Sequence, residues 1–302
     1  MSLSITPLAD CFAAEVSGVD LQRSLNQETV SAIESGMDRY AVLVFRDQNI
    51  CDNEQLTFSQ NFGPIESSIG GNITKLDQRR LQVEFADVSN LDQDQKIFAR
   101  DDRRRLFNLG NRLWHSDSSF RAIPAKYSLL SARSIPVNGP NTEYADMRAA
   151  YDALDVKTKT EVERLICEHS LMYSRGQLGF ADFTEEERKT FAPVRQVLVR
   201  IHPVTKRKSL FLASHAGTIV GWPMAEARIF LRDLIEHATQ PQFVYVHHWR
   251  SHDLVMWDNR QTMHRVRRFN ETEDGRYLIS LEGLNIFELK KELAVNFDVK
   301  QF

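Results

Sequence analysis

The sequence predicts a mainly β fold with flanking helices, built on a double-sheet, cupin-like jelly-roll core. Three observations carry that expectation. Apolar runs such as Ala41-Val42-Leu43-Val44-Phe45 and Phe243-Val244-Tyr245-Val246-His247-His248-Trp249 have strand length and strand composition. The candidate metal ligands, in His115-Ser116-Asp117 and at His264, fall in short segments of that kind, which suits a site held in the open mouth of a jelly roll. A doubly wound α/β sheet is the runner-up, but no G-x-G-x-x-G or G-x-x-x-x-G-K phosphate loop occurs.

In chain order, Asn26 is positioned to cap a helix reaching Tyr40, with Val30, Ile33 and Met37 at helical spacing. The strand 41–45 follows. Asp52 or Asn53 starts a second helix that runs through Phe62 and is stopped by Gly63-Pro64. Segment 67–111 is polar, with basic clusters at Gln78-Arg79-Arg80 and Arg100-Asp101-Asp102-Arg103-Arg104-Arg105. Charge runs of this kind ordinarily form solvated loop faces. A long loop leading directly into His115 is also where a lid belongs, so 67–111 is read as a lid. Tyr127 to Ser134 reads as a strand, while Met147 to Leu154, Lys157 to His169 and Glu185 to Phe191 read as helices. Pro223 opens an amphipathic helix over Ala225 to Ala238. Leu254 to Trp257 and Tyr277 to Leu281 read as the last strands. No repeat or low-complexity linker divides the chain, so residues 1–302 are expected to form one domain.

A chain of 302 residues can bury a large core. Its net charge of −3 argues against a nucleic-acid partner, which would demand a basic footprint. Cys11, Cys51 and Cys167 are scattered and odd in number, which disfavours a disulfide framework or a zinc site. No signal-peptide pattern opens the chain and no apolar run approaches the ~20 residues of a membrane helix. A cytoplasmic protein with no membrane partner is expected.

His115 and Asp117 are two residues apart, so on a strand both side chains share one face. A second imidazole, His264, arrives from a distant element in Trp257-Asp258-Asn259-Arg260-Gln261-Thr262-Met263-His264. A lone H-x-D is ordinarily a solvated polar pair. Two histidines and one carboxylate facing a metal are the ligand set of a non-heme Fe(II) oxygenase, with three coordination positions left for a co-substrate and O2. Arg276, twelve residues beyond the distal histidine, tips the reading toward that ligand set. Zinc hydrolysis would want an added general base, and no H-E-x-x-H occurs.

Trp114-His115-Ser116-Asp117-Ser118-Ser119-Phe120, Asp146-Met147-Arg148-Ala149-Ala150-Tyr151-Asp152-Ala153-Leu154 and Asp253-Leu254-Val255-Met256-Trp257-Asp258-Asn259-Arg260 resemble the taurine/2,4-dichlorophenoxyacetate dioxygenase family. Asn61-Phe62-Gly63-Pro64 and Glu236-His237-Ala238-Thr239-Gln240 extend the likeness nearly end to end, and it is strongest to the 2,4-dichlorophenoxyacetate branch. The resemblance implies a double-stranded β-helix core and an Fe(II)-dependent enzyme that consumes 2-oxoglutarate and O2 and releases succinate and CO2. It implies iron ligands His115, Asp117 and His264, and a 2-oxoglutarate site with Arg276 and Thr142, walled by Trp257 unless that indole is plain core. Asn111 matches a position that contacts substrate in taurine-type relatives. His202 and His215 lie where herbicide-type relatives keep histidines that influence substrate. A homo-oligomer is among the expected states.

One departure bears on the substrate. In many relatives a second arginine, four residues after the 2-oxoglutarate arginine, grips the substrate anion; here Ser280 stands in that place. Replacing a guanidinium by a hydroxyl removes a contact worth on the order of 1.5–3 kcal/mol. The expected substrate is therefore a small aliphatic carboxylate, an α-amino acid before an aryloxyalkanoate, with hydroxylation, desaturation or ring closure as the outcome. An aryloxyalkanoate-cleaving enzyme of the 2,4-dichlorophenoxyacetate type is the alternative, with Arg265, Arg267, Arg268, Lys75 or Lys96 supplying the lost charge. A 2-oxoglutarate-binding sensor is the non-enzyme alternative.

Overall fold

The computed structural model describes residues 3–10, 12–67, 73–135, 141–268 and 280–287. Among these residues the strands, in chain order, are β1 (Ser4–Ala9), β2 (Phe12–Ser17), β3 (Val42–Phe45), β4 (Ala86–Ser89) and β5 (Ala125–Ser134). There follow β6 (Asn141–Asp146), β7 (Ile166–His169), β8 (Val194–Val197), β9 (Val199–Ile201) and β10 (Lys208–Leu210). The last are β11 (Ala216–Ile219), β12 (Val244–His248), β13 (Leu254–Asp258), β14 (Thr262–Val266) and β15 (Ser280–Phe287). The α-helices are α1 (Gln27–Tyr40), α2 (Asp52–Gln60), α3 (Arg103–Asn108), α4 (Met147–Asp152), α5 (Val156–Val162), α6 (Leu171–Gly176), α7 (Glu185–Thr190) and α8 (Met224–Ala238). With about 31% helix and 29% strand, the fold is less dominated by β structure than its sequence suggests, and the described strands close no barrel.

Seven strands form one sheet in the order β1-β2-β3-β13-β5-β15-β4, and three form a second in the order β12-β6-β14. Pairing is antiparallel except between β2 and β3. Alternation along β13 shows how the sheets face each other, because successive side chains leave a strand on opposite sides. Leu254 and Met256 join Ile33 and Met37 of α1 in one core. Val255 and Trp257 instead join Tyr144 of β6 in an inner core between the sheets. The outer face of the smaller sheet, through Ala145 and Met263, packs on α4 and on Ala227, Leu231, Leu234 and Ala238 of α8. The i, i+4, i+7 spacing of the first three α8 residues makes one apolar stripe. Each such side chain contributes roughly 1.5–3 kcal/mol when buried if large.

Local signals explain the helix ends. The Asn26 side chain accepts a hydrogen bond from the Thr29 amide at 2.8 Å, and α1 ends at Ala41 in the left-handed region, φ 60°. The second helix starts as expected, capped by Cys51 and Glu54, but ends at Gln60. The stretch 157–169 departs from its expected helix. It divides into α5, capped by Asp155, and the strand β7, whose Cys167 and His169 are buried against β11 and β8. Burial between two strands overrides the helical pattern there. Segment 67–111 is not one loop. From residue 73 it carries a short 3-10 turn, then β4 on the edge of the large sheet, then α3. Its basic cluster is paired, Arg103 to Glu187 at 2.6 Å and Arg104 to Asp102 at 2.7 Å. Tyr277 to Ile279 of the last expected strand lie outside the described residues, and β15 begins at Ser280.

A buried ion pair fixes the turn between β13 and β14. Asp258 and Arg260 are fully or nearly fully buried, and the carboxylate accepts from Arg260 Nη2 at 2.7 Å, Arg260 Nε at 2.9 Å and Gln261 Nε2 at 2.8 Å. Burial opposes the charge on Asp258, but Arg260 and His202 hold its carboxyl well below the ordinary range. Asp258→Asn leaves Arg260 without its countercharge, and a loss of about 3–5 kcal/mol is expected in urea unfolding. A loss below about 1 kcal/mol would show that the pair is not needed to hold this turn.

Candidate metal centre and cavity

The site begins with backbone pairing. His115 and His264 face each other in an isolated antiparallel bridge, with His115 N donating to His264 O at 3.0 Å and His264 N to His115 O at 2.8 Å. Directly opposed residues present their side chains on one face. The two imidazoles accordingly lie with ring centroids 4.2 Å apart. Between the ligand positions, Ser116 turns the other way and donates to the Thr262 carbonyl at 2.8 Å, so His115 and Asp117 emerge together.

His115 Nδ1 lies 2.8 Å from the Leu113 carbonyl, which can only accept; the proton is therefore on Nδ1 and the lone pair on Nε2. Nε2 of His115 is 3.6 Å from Asp117 Oδ1, and Nε2 of His264 is 3.7 Å from the same oxygen. These separations are too long for hydrogen bonds, yet two metal–ligand bonds of about 2.0–2.2 Å each can bridge them. One ligand atom from each of the three residues fits within 4.8 Å of the others. Burial pushes both imidazoles toward the neutral, metal-ligating form, His115 below its ordinary value and His264 to about 3. The donor set therefore fits a divalent first-row metal with open positions.

A polar layer behind Asp117 orients it. Ser128 donates to Asp117 Oδ2 at 2.7 Å, which leaves Oδ1 toward the histidines. Asn259 donates to Ser128 Oγ at 2.8 Å, and its carbonyl accepts from the Asp117 amide at 3.0 Å and the Trp257 indole at 3.2 Å. Register places these groups: Trp257 on β13 faces Ser128 on β5.

The ligands open into a cavity of about 170 Å³ between the two sheets. Thr142 lines it, as does Val266, its register partner on β14; Tyr144 pairs with His264. The Thr142 hydroxyl accepts from the Trp249 indole at 2.9 Å. Trp257, Asn111 and His215 also line the cavity. Ser174 Oγ donates to Leu171 O at 2.8 Å and so accepts from His215 Nδ1 at 2.8 Å. The His215 ring stands 6.1 Å from that of His115. The far wall comes from the expected lid, through Glu84, Val88, Phe107 and Asn111.

His202 does not join this site. Its Nε2 lies 3.6 Å from Asp38 Oδ1 and 3.5 Å from Asp258 Oδ2, buried behind the β13–β14 turn, and it is absent from the cavity wall. Its sequence neighbourhood gave no hint that these two carboxylates would claim it. Arg276 lies outside the described residues, and of Ser280 only the backbone is described, paired with Ser134 and Ser89. Arg265 is committed to Glu143 at 2.7 Å, as is Arg267 at 3.3 Å. Sequence reasoning missed Ser128, Asn259, Glu66 and Arg175. Asn259 sits in the Asp253–Arg260 motif, but only the fold shows that it holds Asp117, Ser128 and Trp257.

A model of the family described as "Taurine catabolism dioxygenase TauD, TfdA family" matches residues 4–281. The chain belongs to this family. Among TauD/TfdA relatives, the alpha-ketoglutarate-dependent 2,4-dichlorophenoxyacetate dioxygenase of Cupriavidus pinatubonensis is 46% identical over 273 residues, 89% of this chain and 94% of that protein. The (S)-phenoxypropionate/alpha-ketoglutarate-dioxygenase of Sphingobium herbicidovorans is 36% identical over 281 residues, 90% of this chain and 92% of that protein. The crystal structure of AAD-2 in complex with Mn(II) and N-oxalylglycine superposes with a TM-score of 0.92 at 56% identity, covering 96% of this chain and 99% of that one.

Ser128→Ala removes the hydroxyl that fixes Asp117. Binding of Mn(II), followed by titration calorimetry, is expected to weaken about tenfold or more while the fold persists. Unchanged affinity would show that Asp117 does not depend on that bond.

Proposed function

We propose that the chain is an Fe(II)- and 2-oxoglutarate-dependent dioxygenase acting on aryloxyalkanoates. The observation that carries this reading is the facing of His115, Asp117 and His264 in a cavity between two sheets, in a chain 46% identical to a dioxygenase named for 2,4-dichlorophenoxyacetate. The facing sheets also support a jelly-roll reading of the core. The α-amino acid expected from Ser280 finds no support, because two relatives covering about nine-tenths of this chain are named for aryloxyalkanoates. Ser280 in place of one arginine is a local signal, and it weighs less than likeness along about nine-tenths of the chain. The sensor reading is likewise disfavoured by relatives named as enzymes.

Fe(II) with 2-oxoglutarate and O2 supplies oxidation of a C–H bond, with succinate and CO2 as co-products. His115, Asp117 and His264 would hold the metal, with Asp117 kept in place by Ser128 and Asn259. Manganese and N-oxalylglycine in the AAD-2 complex are stand-ins for iron and for 2-oxoglutarate with one methylene replaced by NH. Thr142 and Arg276 would take the distal carboxylate of 2-oxoglutarate, and Trp257 would wall that pocket. The remaining apolar wall, including Phe107, Leu130 and Leu171, suits an aryl ring and excludes water from the reacting carbon. Hydroxylation of the carbon between ether oxygen and carboxylate gives a hemiacetal, which collapses to a phenol and an oxoacid.

The test is competitive: equal concentrations of phenoxyacetates and branched aliphatic amino acids, with succinate and both products followed. Succinate coupled to phenol is expected with the aryloxyalkanoates only, and turnover confined to the amino acids would overturn the proposal. His115→Ala, Asp117→Ala and His264→Ala are each expected to abolish turnover without unfolding, whereas His252→Ala stays active. Arg276→Lys is expected to raise the KM for 2-oxoglutarate strongly and Thr142→Val mildly, because an ammonium cannot copy the guanidinium fork. A parent-like titration by Arg276→Lys would place the co-substrate carboxylate elsewhere.

A further inference from the structure

Two arginines among the described residues line the cavity. Arg121 is neutralised there by Glu66, at 2.8 Å, and Glu66 also takes the Ser118 hydroxyl. Arg175, at the end of α6, is different. It is 6% exposed, and its side-chain hydrogen-bond partners among the described residues are a hydroxyl and an amide oxygen rather than a carboxylate. Its Nη2 reaches Asn111 Oδ1 at 3.3 Å and its Nη1 reaches Ser174 Oγ at 3.4 Å, both long, while Nε has no hydrogen-bond partner. Two other buried arginines, Arg148 and Arg260, are each matched by a carboxylate, Asp146 and Asp258. An uncompensated buried cation is costly, so a fold that keeps one facing a cavity is poised for an anion.

The guanidinium has a built seat. It stacks on the Phe107 ring at 4.6 Å from the centroid, and it occupies the space above Gly110, where an added Cβ would fall 2.0 Å from Nη1 and 2.2 Å from Cζ. Glycine is thus required at 110 for the guanidinium to lie as it does. The seat is near the metal ligands: Arg175 and His215 share Ser174 Oγ, and the His215 ring is 6.1 Å from that of His115. Neutral His215 adds no competing charge, since burial and Arg175 itself push it well below its ordinary value.

We infer that Arg175, seated on Gly110 and Phe107, is the cation that grips the substrate carboxylate in this chain. The inference rests on the proposed aryloxyalkanoate reading and names a replacement for the anion-gripping arginine whose place Ser280 holds. Asn111 would then act by aiming the guanidinium through Nη2. In an aryloxyacetate the carboxylate is attached directly to the carbon to be oxidised, so gripping it also positions that carbon.

The experiment compares phenoxyacetate with phenoxyacetamide, its neutral isostere, in the parent, Arg175→Met, Arg175→Lys and Gly110→Ala proteins loaded with Fe(II) and 2-oxoglutarate. In Arg175→Met the KM for phenoxyacetate is expected to rise roughly 10–100-fold, the loss of a charge-assisted contact, with the amide little affected, so the preference for acid over amide collapses. The KM for 2-oxoglutarate should stay within about threefold. Arg175→Lys should retain part of the preference, and Gly110→Ala, which displaces the guanidinium but keeps it, should lose it. The rise in melting temperature on adding phenoxyacetate to the parent should vanish in Arg175→Met, while the unliganded variant melts no lower than the parent, because an unpaired buried charge has been removed. Three results would overturn the assignment. An unchanged acid-to-amide ratio does so. An equal loss for both ligands with a lowered melting temperature makes Arg175 a packing residue. A raised KM for 2-oxoglutarate alone makes it a co-substrate residue. A parent that turns over no aryloxyalkanoate fails the underlying reading instead, and the inference falls with it.

Discussion

Two reciprocal backbone hydrogen bonds between His115 and His264 are the constraint on which the site depends. They join the segment leading into β5 with β14, elements far apart in the chain, and the direct opposition of two residues places both imidazoles on one face. A shift of one residue in this pairing would turn one ring toward the opposite face and dissolve the candidate metal centre. Ser116, pinned to the carbonyl of Thr262, guards against that shift from the other side. The ion pair of Asp258 and Arg260 fixes the turn from which β14 departs.

From this bridge the rest of the polar architecture follows outward in layers. The three candidate ligands are oriented by Ser128 and Asn259, and Asn259 in turn holds the Trp257 indole. Metal position and cavity wall are therefore linked through one buried amide. Such connected networks are stiff when every member is satisfied, and they lose several contacts at once when one is removed.

Much of this was legible in the sequence, and the reasons differ by element. Asn26 before a 3.6-residue repeat announces α1, and Pro223 announces α8, because caps and periodicity are local properties. The candidate ligand triad is legible because its residue types and the two-residue step from His115 to Asp117 suggest the chemistry. The stretch 157–169 misleads, since Cys167 and His169 become strand residues only through β8 and β11. His202 misleads similarly: its neighbours Asp38 and Asp258 come from two distant elements. Arg175 carries no local mark at all. Its meaning comes from partners that are a hydroxyl and an amide oxygen rather than a carboxylate, and from Gly110, far away in sequence, leaving room for it.

The layout also separates two kinds of change open to descendants of this chain. The candidate metal ligands and the groups that pack behind them sit on strands β5, β6, β13 and β14 and around the His115 bridge, where register ties residues to one another. The opposite wall, from Glu84 to Asn111 with α6, consists of short elements outside that strand register. Substitutions in that wall alter which molecules fit while the reaction centre keeps its shape. Diversification of substrate range can thus proceed in small, individually tolerable steps, with the oxidising machinery inherited intact.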